Sequence, residues 1–210
     1  MFADMTLFAL LIKGGWMLFF ILITSVIALA IIIERYLTYK RIKKNSQVFT
    51  SRIFTFFKND DVSAAVEFCR ESPSHLSKVI LSGLTKIDLP HERISEAVES
   101  AAKKEVFNLE KGLSTLATIS GVAPLLGFLG TVTGMIQAFM QIQNLQGVVN
   151  PSDLAGGIWE ALITTAFGLA VGIIALTAYN YFVTQVKKIV LDMETFSNDV
   201  LDEIYTRKEQ

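Results

Sequence analysis

Of 210 residues, 51% are hydrophobic and the mean hydropathy is +0.46; the apolar material is gathered into three runs, a distribution that reads as a membrane protein. A formal net charge of −1 supplies no global basic field for nucleic acid. The single cysteine, Cys69, excludes an intrachain disulfide, and no metal-ligand spacing is present.

Residues 1–13 are apolar but short, carry Asp4 and Thr6, and close on Lys13. They are expected to form a helix lying along the outward membrane surface. The first span, 14–34, opens with Trp16 where an interfacial aromatic belongs, and runs uncharged from Gly14 to Ile33. With no basic stretch before it, it reads as a retained anchor rather than a cleaved signal.

Lysine and arginine asymmetry sets the orientation. Of 19 basic residues, 14 lie between Arg35 and Lys111, four follow from Lys187 onward, and Lys13 remains for the other side. By the positive-inside rule the N-terminus faces outward and the C-terminus is cytoplasmic.

The cytoplasmic segment, 35–112, reads as helices over Val48–Phe57, Asp61–Arg70 and Leu76–Lys86, with a break at Ser72-Pro73-Ser74. From Pro90 a further helical pattern starts, and Ile94, Val98, Ala101, Ala102, Leu109 and Leu113 form its apolar stripe. Glu and Lys alternate on its other faces, as on a solvated helix. The pattern predicts one continuous helix from about Pro90 through the second span.

That second span, 113–142, gathers Ser120, Ala123, Gly127, Gly130, Thr131, Gly134 and Ala138 within about 100° of arc. Pro124 inside it is expected to kink the helix or free a carbonyl, which membrane helices tolerate when neighbours satisfy the group. A loop at 143–155 with Gly147, Asn150 and Pro151 leads to the third span, 156–183. There Gly157, Ala161, Thr164, Thr165, Gly168, Gly172 and Ala175 share one face, while Leu162, Ile163, Phe167, Leu169, Ile173, Ile174 and Leu176 take the other. Two small faces predict two helices in close approach, with Gly127, Gly130, Gly134, Gly168 and Gly172 as packing positions.

The 184–210 segment keeps a helical period through Val186, Ile189, Val190, Met193, Phe196, Val200 and Ile204. A single helix from Ser152 to Tyr205 would run roughly 80 Å. Its cytoplasmic stripe needs a partner, and the Ile94–Leu109 stripe is the expected one. The fold expected is an all-α membrane protein with three spans, N-out and C-in, two of them extending far into the cytoplasm.

Glu160 is the one carboxylate in the third span. Measured from Asn180 at the inner edge, it lies about 30 Å away, at the outer edge of the hydrocarbon. Similar reckoning puts Thr131 and Thr165 level, about 9 and 7.5 Å inside the outer edge. A shared polar ring is one reading; back-bonding of each threonine to its own helix is the other, especially for Thr164. Glu160 for its part could simply complement a helix dipole at the wet interface. No ionisable residue lies at mid-membrane depth, so a proton path would need a carboxylate from another protein. The parts of an enzyme are missing: no HExxH, no nucleophile elbow, no intramembrane histidine.

The second span's APLLGFLGTVTGM (Ala123 to Met135), WEALITTAFGL (Trp159 to Leu169) and the closing AYN (Ala178 to Asn180) resemble the ExbB/TolQ branch of the MotA/TolQ/ExbB proton-channel family. The resemblance implies a ring-forming homo-oligomer, a pentamer, in the bacterial inner membrane, with residues 1–13 on the periplasmic side. It implies two copies of an ExbD/TolR-like single-span partner whose membrane aspartate carries the proton, and a TonB- or TolA-like periplasm-spanning protein that the ring energises. By position, Thr131 and Thr165 are similar to the family's pore threonines and Glu160 to its third-span carboxylate, with Thr164 a secondary pore candidate. Thr164 departs from the alanine expected there. No cofactor and no metal is implied. A MotA-like stator subunit and a non-conducting membrane scaffold are the alternatives; three spans rather than four weigh against the stator.

Overall fold

The structure, a computed structural model, describes residues 15–59, 61–72, 74–144 and 151–208. The helix expected over residues 1–13 and the middle of the 143–155 loop lie outside these. Six helices account for the rest: α1 (Gly15–Lys58), α2 (Val62–Glu71), α3 (His75–Leu84), α4 (His91–Glu110), α5 (Leu113–Asn144) and α6 (Pro151–Lys208). Among the described residues there is no strand, and three helices are long and apolar enough to cross a membrane.

The chain divides into two compact units, one made of the residues up to Ile33 with Gly112–Tyr181, the other of Glu34–Lys111 with Phe182–Gln210. The first unit contains the three apolar stretches. Its small residues are inside: Ala123, Gly127, Gly130, Gly134 and Ala138 of α5, and Ala161, Thr164, Gly168, Gly172 and Ala175 of α6, are all buried. Many of its large ones are outside, with Leu125, Phe128, Phe139, Leu162, Ile173 and Ile174 all exposed, while Leu18, Ile21, Leu116 and Ile163 are buried. In water that inversion would be unstable; in hydrocarbon it is the expected arrangement, because close helix approach rather than apolar burial holds the bundle.

The second unit has the opposite, water-soluble logic. Phe49 stacks on Phe68 with ring centroids 5.4 Å apart, Phe196 meets Phe49 and Phe54 edge-on, and Tyr39 lies against Phe182. Asp61 caps α2 by accepting a hydrogen bond from the Ala64 amide at 2.9 Å. The α6 stripe thus finds its aromatic partners on α1, not only on the Ile94–Leu109 stripe that the pattern favours. That helix, α4, borders α6 across a groove of about 620 Å³.

Three local expectations are corrected. The helix read over Val48–Phe57 is the end of α1, unbroken from Gly15, because no glycine or proline interrupts Trp16–Lys58. The continuous helix from Pro90 does not exist: α4 ends at Glu110, Lys111 is extended at ψ 130°, and Gly112 has φ +81°, a left-handed value that favours glycine. The carbonyls this exposes are taken up within the second unit, since Leu109 accepts from the Tyr39 hydroxyl at 2.7 Å and from Arg35 Nη1 at 3.5 Å.

The third correction concerns Glu105, which the charge pattern places on a solvated face but which is only 3% exposed. His75 Nδ1 and Lys78 Nζ from α3 and the Asn108 side chain all hydrogen-bond its carboxylate. Burial pushes the Glu105 carboxyl up, yet the bonds from His75 and Lys78 and the charge of Lys78 outweigh it, and the group is held below its usual range.

Candidate functional site

The α5–α6 seam is backbone against backbone. A Cβ on Gly134 would stand 2.7 Å from the Gly157 carbonyl oxygen, and one on Gly157 would stand 2.7 Å from that of Gly134. Further along, a Cβ on Gly168 would meet the Ala123 carbonyl oxygen at 2.5 Å, and one on Gly172 would meet the Pro124 ring at 2.6 Å. As α5 runs back from Gly134 to Pro124, α6 runs forward from Gly157 to Gly172, so the pairing is antiparallel. Approach this close places Cα–H groups on facing carbonyls, a weak but repeated attraction. Pro124 offers no amide to Ser120, and the Ser120 carbonyl faces Gly172 instead.

The seam fixes the three threonines. Thr164 is fully buried, its Cβ pressed on Gly130, its hydroxyl bonded to the Glu160 and Ala161 carbonyls at 3.0 and 2.9 Å. In the single chain it packs the seam and reaches no open surface. Thr165 crosses to α5, donating to the Gly127 carbonyl at 3.0 Å. Thr131, half-exposed, donates to the Phe128 carbonyl of its own helix at 2.6 Å. The hydroxyls of Thr165 and Thr131 therefore bond the carbonyls of consecutive α5 residues, about 1.5 Å apart along the axis. The common depth reckoned from the span ends recurs in the contacts.

Glu160 lies nearer the C-terminal end of α5 and the N-terminal end of α6. It borders a cleft of about 530 Å³ lined also by Gln137, Gln141, Ala155, Gly157 and Trp159. Its carboxylate reaches the start of α1, where Gly15 has φ +62°. The sequence pattern singles out neither Gln141 nor Gly15. The two glutamines could have been found from their spacing of four on α5; Gly15 carries no local signal, because its neighbour is 145 positions away. Among the described residues no group of acidic, histidine or cysteine side chains could hold a metal ion.

A membrane-length helix pair with a small-residue seam, two hydroxyls at one depth and a carboxylate beside a polar cleft defines a multi-pass helical membrane protein with a polar site inside its apolar unit. Comparison with known proteins supplies the family: residues 71–195 match the MotA/TolQ/ExbB proton channel family, and the chain belongs to it, in the ExbB/TolQ branch. An ExbB-like biopolymer transport protein of Synechocystis is 34% identical over 181 residues, covering 82% of this chain and 69% of that protein. The biopolymer transport protein ExbB of Xanthomonas campestris is 36% identical over 111 residues, or 53% of this chain and 44% of that one. The Tol-Pal system protein TolQ of Haemophilus influenzae is 30% identical over 189 residues, 83% and 81% of the two chains. The chain thus spans under half the length of the Xanthomonas relative and most of the other two.

Proposed function

We propose that this chain is the multi-span subunit of an inner-membrane complex driven by proton-motive force. In this reading several copies, five by family resemblance, form a ring around an ExbD/TolR-like single-span partner. The partner supplies the membrane aspartate, and the ring energises a TonB- or TolA-like protein for outer-membrane transport or envelope maintenance. The N-terminus and the 143–155 loop face the periplasm and the second unit faces the cytoplasm. No enzymatic reaction is assigned to the chain.

One observation carries the reading: the hydroxyls of Thr131 and Thr165 share a depth inward of Glu160, while no Asp, Glu, Lys or Arg follows Glu160 before Lys187. A chain with an outer carboxylate and a hydroxyl level but no inner titratable group holds half of a relay. The other half must come from elsewhere, which is what a single-span partner with an acid would provide.

The scaffold reading has its own observation, since both hydroxyls are committed to backbone carbonyls within the chain. Proton flux separates the two. The full chain is co-expressed with the single-span protein of its neighbourhood, reconstituted in vesicles, and followed with an internal pH dye under an imposed potential. Thr165→Val and Glu160→Gln are expected to cut flux while assembly persists. Wild-type flux in both, or a wild-type complex that passes no protons at any potential, sinks the relay and leaves the scaffold.

A further inference from the structure

The first span contains no polar constellation, yet its beginning touches the one carboxylate of the third span. Gly15 starts α1 with φ +62°, a conformation that L side chains rarely adopt. A Cβ built there would lie 2.6 Å from Glu160 Cδ and 3.3 Å from Oε2, with the other oxygen, Oε1, nearer still. Ordinary contact begins at 3.4 Å, so the carboxylate carbon occupies space that any side chain at position 15 would need. The left-handed φ selects glycine at position 15, and Glu160 springs from α6 one turn from the Gly134–Gly157 contact, so with both backbones fixed it is the carboxylate end that would have to move.

We propose that Gly15 is a positioning residue for Glu160, holding the carboxylate between the start of α1 on one side and the Gln137–Gln141 cleft on the other. The inference rests on the relay role given to Glu160 above and adds the first span to that site. Two features of the α1 start suit a carboxylate. The first amides of a helix have no intrahelical acceptor, and the positive end of the helix dipole lies there. The absent side chain lets the carboxylate come within reach of that end. On the far side Gln137 and Gln141 offer amide donors and acceptors across the cleft. The carboxylate therefore stands where all three spans of one chain meet, and its direction is set by a residue with no side chain of its own.

The test is a size exchange. Gly15→Ala forces the carboxylate carbon back by at least about 0.8 Å to restore 3.4 Å from a starting 2.6 Å, and the nearer Oε1 by more. Glu160→Asp withdraws it by one carbon–carbon bond, about 1.5 Å. In proton-driven activity of the full complex, Gly15→Ala is expected to lose at least about tenfold, since misplacement by an ångström costs catalysts that much or more. Adding Glu160→Asp to Gly15→Ala is expected to recover most of the loss, although Glu160→Asp alone is impaired. Backbone strain at φ +62° is common to both Gly15→Ala proteins and cancels in the comparison. A double variant no better than Gly15→Ala overturns the proposal.

A second readout is independent of transport. The infrared carboxyl band that disappears in Glu160→Gln is expected to shift in Gly15→Ala; an unmoved band overturns the contact. If Glu160→Gln passes protons normally while that band does shift, the relay reading fails and the positioning stands.

Discussion

Gly168→Ala tests whether the α5–α6 seam is held by backbone approach. The added Cβ meets the Ala123 carbonyl oxygen at 2.5 Å, Gly127 Cα at 3.0 Å and Gly127 N at 3.1 Å. All three are backbone atoms, so no side chain can turn aside and the helices themselves must part, by about 0.9 Å at the tightest point to reach 3.4 Å. Overpacking of this kind costs up to about 3 kcal/mol. Alanine returns about 1 kcal/mol of helix propensity over glycine, leaving a net loss of about 2 kcal/mol. For a chain of this size that is a fall of about 4–8 °C in Tm.

Gly121→Ala is the matched control. It makes the same chemical change in the same helix pair, but a Cβ there meets nothing within 4 Å. It should melt at or slightly above the parent. Melting is followed by the fluorescence of Trp16 and Trp159, both in the apolar unit, on the full chain in detergent at one scan rate. If Gly168→Ala melts with Gly121→Ala, the seam is loose and the backbone contacts do not hold the pair.

Three further outcomes are expected. Because Glu105 is held below the ordinary carboxyl value of 4.5, its contribution is present above that value and is lost as pH falls through the lower folded one; amide exchange in α3 and α4 should accelerate on acidification through that window, and Glu105→Gln should flatten the response. Cys69 is 2% exposed and burial pushes its thiol up to about 12, so a maleimide at pH 8 should label it only as fast as the second unit opens. Labelling at the rate of a free thiol would contradict the burial. Gly112→Ala should cost about 1–2 kcal/mol for a left-handed alanine and Gly112→Asn less, both read as a Tm difference; an alanine variant as stable as the parent would mean the φ of +81° is not required.

What the sequence could disclose follows the range of the forces involved. The spans, the small faces and the long third helix were legible because each is a property of one helix and its period. The depth shared by Thr131 and Thr165 was legible too, since rise per residue is constant and both ends of each span carry polar markers. Gly112 was visible and misjudged: one glycine inside a strong apolar period is tolerable to a helix, and only the left-handed φ marks it as a stop. Glu105 could not be placed, because its partners His75 and Lys78 lie 30 and 27 positions earlier on another helix. The contact of Gly15 with Glu160 is of the same kind, longer in sequence and with one partner that has no side chain to betray it.

The seam described by Gly134, Gly157, Gly127 and Gly168 has a mechanical consequence. Contacts made between main chains have no rotamers to exchange, so they lack the soft degrees of freedom by which packed helices slide past one another. Thr165 adds a hydrogen bond across the same line. The length of α5 from Ser120 to Ala138 and the facing length of α6 therefore behave as one stiff plank, and whatever tilts one tilts the other. Glu160, Thr165 and Thr131 ride on that plank together, so a displacement that presents one of them to a neighbour presents all three in fixed relation.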